Sequence, residues 1–450
     1  FREVPGTVRM WASEVGRATG GELVGEDVLV DGATQDSRTA TPGCLFVPLV
    51  ADRDGHDFIE SAIAAGAAAH LTDRNEISPA TTAIRVADTS AALTALGAAA
   101  RRSVGAGGGR VVGITGSVGK TSTKDLVAAV MACSGTTHAS DRSFNNEIGV
   151  PLTLLGAPAD AAHVVVEMGA RSEGDIADLA GLARPDVGVL TTVADAHTGS
   201  FGFLEVVART KGELFDGLPP DGCAVVHADV PEALAQADRA RCPVLTFGDR
   251  GEVRAQDVRL DDVLRPTFRL ESPWGRFEVK LDARGVHMVA NALAAAAVGL
   301  VEGVGLDDVA IGLAEARLSP WRMEVVTGSS GCTVVNDAYN ANPTSTMAAL
   351  DALAALPEGG RRIAVLGVMA ELGDHGPAAH AAVAGHAADL GVEVLAAGTD
   401  LYGVDGLKDT DAAITVLGVR VLGQGDAVLV KGSRVAGLEA VVEGLVGGQL

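Results

Sequence analysis

Short runs of Val, Ile and Leu alternate with Ala-rich stretches of helical period along most of the chain. Residues 110–115 precede 122–133, residues 164–167 precede 176–183, and residues 362–366 precede 378–390. Each pair reads as a strand followed by a helix, and repeated strand–helix units predict parallel sheets of the α/β class. Two places interrupt the rhythm. Gly105-Ala106-Gly107-Gly108-Gly109 has the composition of a flexible linker, which puts a first boundary after residue 107. Two helical patterns, 288–301 and 307–316, then lead into Leu318-Ser319-Pro320-Trp321. The residue before a proline is biased out of the helical region, which puts a second boundary after residue 316. Between the two, residues 253–281 are strand-rich and read as a β insertion or as return strands. The expected domains are 1–107, 108–316 and 317–450.

Length agrees, since 450 residues at about 150 per domain makes about three domains. Aromatic residues are 3% of the chain, so Ala, Val and Leu must fill the cores. Lys+Arg 35 against Asp+Glu 58 leaves a net charge of -23. Phosphate backbones attract Lys and Arg, so this balance excludes broad nucleic-acid or anionic-membrane binding, though not a nucleotide in a local pocket. The apolar stretch 292–301, bracketed by Asn291 and Glu302, is too short to span a bilayer. The first residues lack the apolar core of a signal peptide. Five scattered cysteines with no C-x-x-C pair argue against a disulfide scaffold or zinc site and fit a reducing compartment. The expectation is a cytoplasmic monomer that uses small molecules, with no nucleic acid and no membrane insertion.

The strongest chemical signal is Gly113-Ile114-Thr115-Gly116-Ser117-Val118-Gly119-Lys120-Thr121-Ser122. It follows an apolar strand and opens a helix, the context of a phosphate loop. Glycines let backbone N–H groups curl round phosphate oxygens, and the helix N-terminus adds a favourable dipole. Residues Gly116 to Ser122 form the expected cradle. Lys120 is placed to reach the β- and γ-phosphates, and the Thr121 hydroxyl to ligate Mg2+. The strict pattern has Gly where Ile114 stands; here Gly113 comes one place earlier.

Three further residues sit near predicted strand ends or helices: Glu167 after the strand 164–166, His197 after the strand 187–193, and Lys211 in a helical pattern. A carboxylate at the C-terminal end of a parallel strand overlooks the crevice where ligands bind. Spacing alone leaves each of the three as open to an ordinary loop or surface role as to a catalytic one.

Taken with Asp36-Ser37-Arg38, Asn145-Asn146-Glu147-Ile148-Gly149, Glu167-Met168-Gly169-Ala170, Lys211-Gly212-Glu213, Arg322-Met323-Glu324, Asn336-Asp337-Ala338-Tyr339-Asn340-Ala341-Asn342-Pro343 and Lys431-Gly432-Ser433-Arg434, the chain resembles the ATP-dependent Mur ligases along essentially its whole length. Their loop spacing, G-x-x-G-x-x-G-K-[ST], accounts for Gly113 and Ile114. Within the family the asparagine-rich motifs and Lys-Gly-Ser-Arg are similar to the branch that adds D-alanyl-D-alanine. The resemblance implies three domains: an N-terminal one for the UDP end, a central phosphate-loop ATPase, and a C-terminal Rossmann-like one that brings the amine. It implies an ATP-dependent amide ligase joining D-alanyl-D-alanine to UDP-N-acetylmuramoyl-tripeptide, a step of peptidoglycan precursor synthesis.

The same resemblance assigns roles to residues. Thr121 and Glu167 would hold a first Mg2+, and His197 and Lys211 a second, with Lys211 carbamylated by CO2. Asn291 would contact adenine, and Arg322 and Asp337 would hold ATP from the third domain. Ser37 and Arg38 would lie near the UDP end, Asn145 and Asn146 near the acceptor peptide, and Lys431 and Arg434 near the incoming dipeptide, with Asn340 and Asn342 also binding substrate. Two departures bear on substrate choice: Trp321 stands where the family usually has Gly, and Val368 where it usually has an acid. They leave open a related ligase that adds another amino acid or dipeptide. A nucleotide-gated binding protein on the same scaffold is the non-enzymatic alternative.

Overall fold

The computed structural model describes residues 9–77, 81–141, 143–194, 203–357, 359–420 and 422–447. The apolar run Arg110–Thr115 lies inside a six-stranded, all-parallel sheet ordered Val244–Phe247, Cys223–His227, Val187–Leu190, Arg110–Thr115, His163–Glu167, Thr137–Ala139. Its inner strands are covered on both faces, which is why they read as continuous Val/Ile/Leu runs without alternation. Strand order reverses beside Arg110–Thr115: the next two strands lie to one side of it, and the following three to the other. A ligand crevice forms above the strand ends at such a reversal.

On one face the helices Lys120–Ala132, Met288–Val301 and Leu306–Glu315 build an aliphatic core. Small residues let these helices approach closely: a Cβ on Gly312 would sit 2.6 Å from the Val130 Cα. That closeness is how a chain poor in aromatics fills its interior. On the other face, helices Gly149–Gly156, Asp175–Ala183 and Leu204–Asp216 share a core with helix Thr89–Ala106 and with the N-terminal sheet. That sheet is ordered Glu22–Val24, Thr82–Arg85, Ala69–Thr72, Leu45–Phe46, Ala33–Thr34, and is parallel except for its first strand.

Residues 253–281, expected as an insertion or as return strands, form a separate antiparallel meander of Arg254–Leu260, Pro266–Ser272 and Gly275–Lys280. The C-terminal sheet is ordered Glu324–Thr327, Thr333–Asn336, Ala427–Lys431, Arg362–Leu366, Glu393–Ala396, parallel except for its first strand. Two distinct apolar clusters line it, with Pro343–Ala354 and Gly376–Asp389 contributing to one and Thr410–Val419 and Glu439–Gly447 to the other. This is the Rossmann-like arrangement that the resemblance implies.

The glycine run at 105–109 departs from its reading as a flexible linker. Helix Thr89–Ala106 continues through Gly105 and Ala106, and the Gly109 N–H closes the helix end on the Val104 carbonyl at 2.9 Å. A Cβ on Gly109 would lie 2.3 Å from the Ala161 carbonyl oxygen. The glycines serve close packing and a tight turn, which composition alone cannot tell from flexibility. No helix among the described residues is long and apolar enough to cross a membrane. All five cysteines are free.

Candidate active site

The phosphate loop leaves strand Arg110–Thr115 and turns through Gly116 (φ 149°) and Gly119 (φ 85°) into helix Lys120–Ala132. Both angles lie where a side chain is strained. The strand expected over 187–193 ends at Leu190, because the next residues strap this loop instead of extending the ladder. The Thr191 hydroxyl donates to the Val118 carbonyl at 2.7 Å, the Ser117 N–H donates to the Thr192 carbonyl at 2.8 Å, and the Ala194 N–H donates to the Ser117 hydroxyl at 3.1 Å. A Cβ on Gly116 would fall 2.0 Å from the Thr191 hydroxyl oxygen. Gly116→Ala therefore adds backbone strain to a steric clash, and a loss of about 2–4 kcal/mol in urea unfolding is expected; unchanged stability would contradict this packing.

Lys120 Nζ donates to the Gly116 carbonyl at 2.7 Å. Burial holds its ammonium below the ordinary lysine value, against the attraction of Glu167. The Thr121 hydroxyl oxygen accepts from Arg322 Nη2 at 3.1 Å, so a side chain of the C-terminal region reaches the loop.

Glu167 ends its strand one position over from the loop strand, in register with Ile114. It is 1% exposed. One carboxylate oxygen accepts from the Asn145 amide at 2.8 Å. The other is buried with no hydrogen-bond partner among the described residues, an arrangement that costs free energy unless a cation or donor completes it. Lys211 lies in the middle of helix Leu204–Asp216 and is also 1% exposed. Burial and the nearby Lys120 charge lower its amine to about 7, with Glu213 opposing. Glu213 itself accepts from the Gly174 and Ala177 N–H groups at 2.9 and 3.0 Å, capping helix Asp175–Ala183.

These groups line one cleft of about 510 Å3 between the central and C-terminal sheets. Arg322, Tyr339, Asn340, Asn342 and Glu371 form its C-terminal wall. The Arg322 guanidinium lies over the Tyr339 ring at 4.2 Å, and the Tyr339 hydroxyl meets Ser143 across the cleft. A second, smaller cavity of about 360 Å3 adjoins it, with Arg171, Tyr339 and Asn340 common to both and Ser433 and Arg434 at its far side.

The other expected residues fall in several places. Gly119, Lys120, Thr121, Asn145, Asn146, Glu167 and Lys211 meet in the cleft. Asn146 accepts the N–H groups of Ile148 and Gly149, at the start of helix Gly149–Gly156. Asn291 lies behind the loop, its carboxamide oxygen against Gly119 and accepting from Thr123 at 3.3 Å. Asn342 caps helix Pro343–Ala354 through the Ser345 N–H at 2.8 Å. Asp337 and Lys431 form a buried pair at 2.5 Å, with Asp337 also accepting the Met323 N–H at 3.1 Å. Burial pushes the Lys431 ammonium down although Asp337 favours its charge. Ser37 and Arg38 sit on a 3-10 turn of the N-terminal region, with the exposed Arg38 guanidinium paired to Asp36. His197 lies outside the described residues. Sequence reasoning missed Ser143, Arg171, Tyr339 and Glu371 as cleft residues; Tyr339 was inside a noted motif, but nothing in the pattern told its facing side.

A strand–loop–helix phosphate cradle facing a second parallel sheet across a cleft defines a phosphate-loop nucleotide enzyme of the α/β class. Comparison with known proteins carries this further. Residues 114–299 match the Mur ligase middle domain, and residues 321–434 match the Mur ligase, glutamate ligase domain. The UDP-N-acetylmuramoyl-tripeptide–D-alanyl-D-alanine ligase of Mycobacterium bovis is 41% identical over 91% of each chain. The crystal structure of MurF from Acinetobacter baumannii matches with a TM-score of 0.88 at 28% identity, covering 98% of this chain and 99% of that one. MurF from Thermotoga maritima in complex with ADP matches with a TM-score of 0.78 at 29% identity, covering 92% and 97%. The chain belongs to the Mur ligase family.

Proposed function

We propose that the chain is an ATP-dependent ligase that joins D-alanyl-D-alanine to UDP-N-acetylmuramoyl-tripeptide, releasing ADP and phosphate. The observation that carries this reading is the convergence of the phosphate loop, Glu167 with its unpartnered oxygen, and Lys211 in one cleft faced by a second, Rossmann-like sheet.

A carboxylate is a poor acyl donor because its leaving group would be oxide. Its oxygen attacks the γ-phosphorus of ATP, the bond to ADP breaks, and an acyl phosphate forms. The dipeptide amine then attacks the acyl carbon, and the tetrahedral intermediate collapses to the amide as phosphate leaves. The chain's work is positioning and charge stabilisation. Lys120, hydrogen-bonded to the Gly116 and Ser117 carbonyls of its own loop, brings a positive charge to the phosphates. Arg322 brings a second from the opposite wall, and the wall excludes water that would hydrolyse the acyl phosphate.

The donor set fits Mg2+. The Thr121 hydroxyl and the bare Glu167 oxygen are hard ligands, and Mg2+ takes few protein ligands beside phosphates and water. Accordingly, no cluster of three His, Cys, Asp or Glu is needed, and none is found among the described residues. When bound, Mg2+ would neutralise the phosphate oxygens. We assign a second ion to His197 and to Lys211 as its carbamate: an amine near 7 is largely neutral above that pH, the form that adds CO2, and the carbamate supplies anionic oxygens. Asn145 orients Glu167, so Asn145→Ala is expected to raise the Mg2+ needed for half-maximal activity by about 10–100-fold; a Mg2+ titration checks it.

The reading divides the chain into acceptor (1–107), ATP (108–316) and amine (317–450) regions, in keeping with the two matched ranges. The adjoining cavity with Arg171 and Arg434 suits a dipeptide carboxylate. Ser37 and Arg38 are assigned to the UDP end. A monomer in the cytoplasm, where ATP and the nucleotide-linked acceptor are made, completes the proposal. Phosphate release measured with UDP-MurNAc-tripeptide against a panel of D-dipeptides and single amino acids tests it. Release should require the acceptor and be fastest with D-alanyl-D-alanine. Equal release without any amine, or preference for a single amino acid, would overturn the substrate assignment.

A further inference from the structure

Trp321 has a backbone φ of 63°, and Met323, two residues on, has 49°. Two left-handed non-glycine residues in three make a locally strained turn, and such strain persists where surrounding contacts over-determine it. Met323 is anchored: its N–H is held by Asp337 and its side chain is buried in the C-terminal core. The two preceding side chains meet different partners. Arg322 goes to Thr121 and the Tyr339 ring. The Trp321 ring lies 4.7 Å from the Arg434 guanidinium.

The Trp321 ring is not among the side chains of the apolar cores. Glycine would adopt this φ without strain, so core packing does not explain the residue. Its ring contacts Arg434, which also pairs with Glu439 at 2.6 Å and lines the smaller cavity. Glu439 fixes the guanidinium from one side, and the indole face supports it by cation–π attraction.

We propose that Trp321 is a positioning residue for the amine substrate: its ring holds Arg434 at the cavity, where the guanidinium receives the carboxylate of the incoming D-dipeptide. This rests on the reading of that cavity as the dipeptide site. Preorganising a donor lowers the ordering cost of binding, so the effect belongs in the affinity for the dipeptide. It does not belong in the phosphoryl step, which Trp321 does not touch.

The test is steady-state ligation with saturating Mg2+, ATP and acceptor while D-alanyl-D-alanine is varied. Wild type comes first; if it ligates no dipeptide, the underlying reading fails before Trp321 is at issue. Trp321→Gly suits the backbone angle and keeps the fold. It should raise the KM for the dipeptide roughly three- to thirtyfold, with kcat and the KM for ATP within about twofold. Trp321→Phe, which keeps a ring, should restore most of the affinity. In a Trp321→Gly/Arg434→Ala double variant the KM should be no worse than for Arg434→Ala alone. An unchanged dipeptide KM in Trp321→Gly, an equal rise in the KM for ATP, failure of Phe to rescue, or full additivity with Arg434→Ala would each overturn the proposal.

Discussion

Lys120→Ala is expected to abolish ligation, by at least roughly a thousandfold in kcat/KM, while leaving the fold intact. The side chain opens helix Lys120–Ala132 and, among the described residues, makes hydrogen bonds only to the Gly116 and Ser117 carbonyls of its own loop. Alanine is a good helix former, and removing a buried ammonium relieves a desolvation cost. No other hydrogen bond among the described residues depends on the amine, although its charge acts on Glu167 and Lys211. The loss should therefore appear in phosphate release and product formation with a melting temperature within a few degrees of wild type. Near-normal turnover would sink the phosphate-loop assignment.

The second large effect concerns Lys211. Lys211→Ala is expected to be inactive but folded. Short carboxylates such as acetate or formate should restore part of the activity by replacing the anionic oxygens of the carbamate. The amine near 7 also sets a direction with pH. Above that value it is largely neutral, the form that would take up CO2; below it the protonated fraction grows and carbamate formation would fall. At limiting CO2, wild-type activity should decline as pH drops through about 7, and added bicarbonate should restore it on the alkaline side first. An active Lys211→Ala would remove the lysine from the site. Inactivity without rescue would leave the lysine necessary and argue against the carbamate.

Much of this site was legible before any coordinates. The Gly-x-x-Gly spacing with Lys-Thr placed the loop on a strand-to-helix turn, where it lies. An acid ending an apolar strand pointed to Glu167 at the sheet crevice, beside the loop. Lys211 shows the limit of such reading. It looks like a solvated helix lysine, and only packing reveals that it is 1% exposed and beside Lys120. Contacts between distant segments were equally invisible. Arg322 on Thr121 and Tyr339 against Ser143 depend on how the central and C-terminal sheets face each other, and the Asp337–Lys431 pair on two strands far apart in sequence becoming neighbours in one sheet. Lys431 was expected beside the dipeptide, and the structure turns its ammonium onto Asp337 and the Asn340 carbonyl. The glycine run at 105–109 misleads because glycine serves flexibility and close packing equally well. The strand at 187–193 overran because Thr191 and Thr192 are good strand formers whose polar groups are taken by the loop.

The proposed reaction passes through an acyl phosphate formed in the cleft between the central and C-terminal sheets. The most direct test follows the oxygen. UDP-MurNAc-tripeptide labelled with 18O in the reacting carboxylate is turned over with ATP and D-alanyl-D-alanine, and the released phosphate is weighed by mass spectrometry. One carboxylate oxygen becomes the bridge of the acyl phosphate and leaves with phosphorus, so each phosphate released should carry one 18O atom. Product amide formed with unlabelled phosphate would contradict the account.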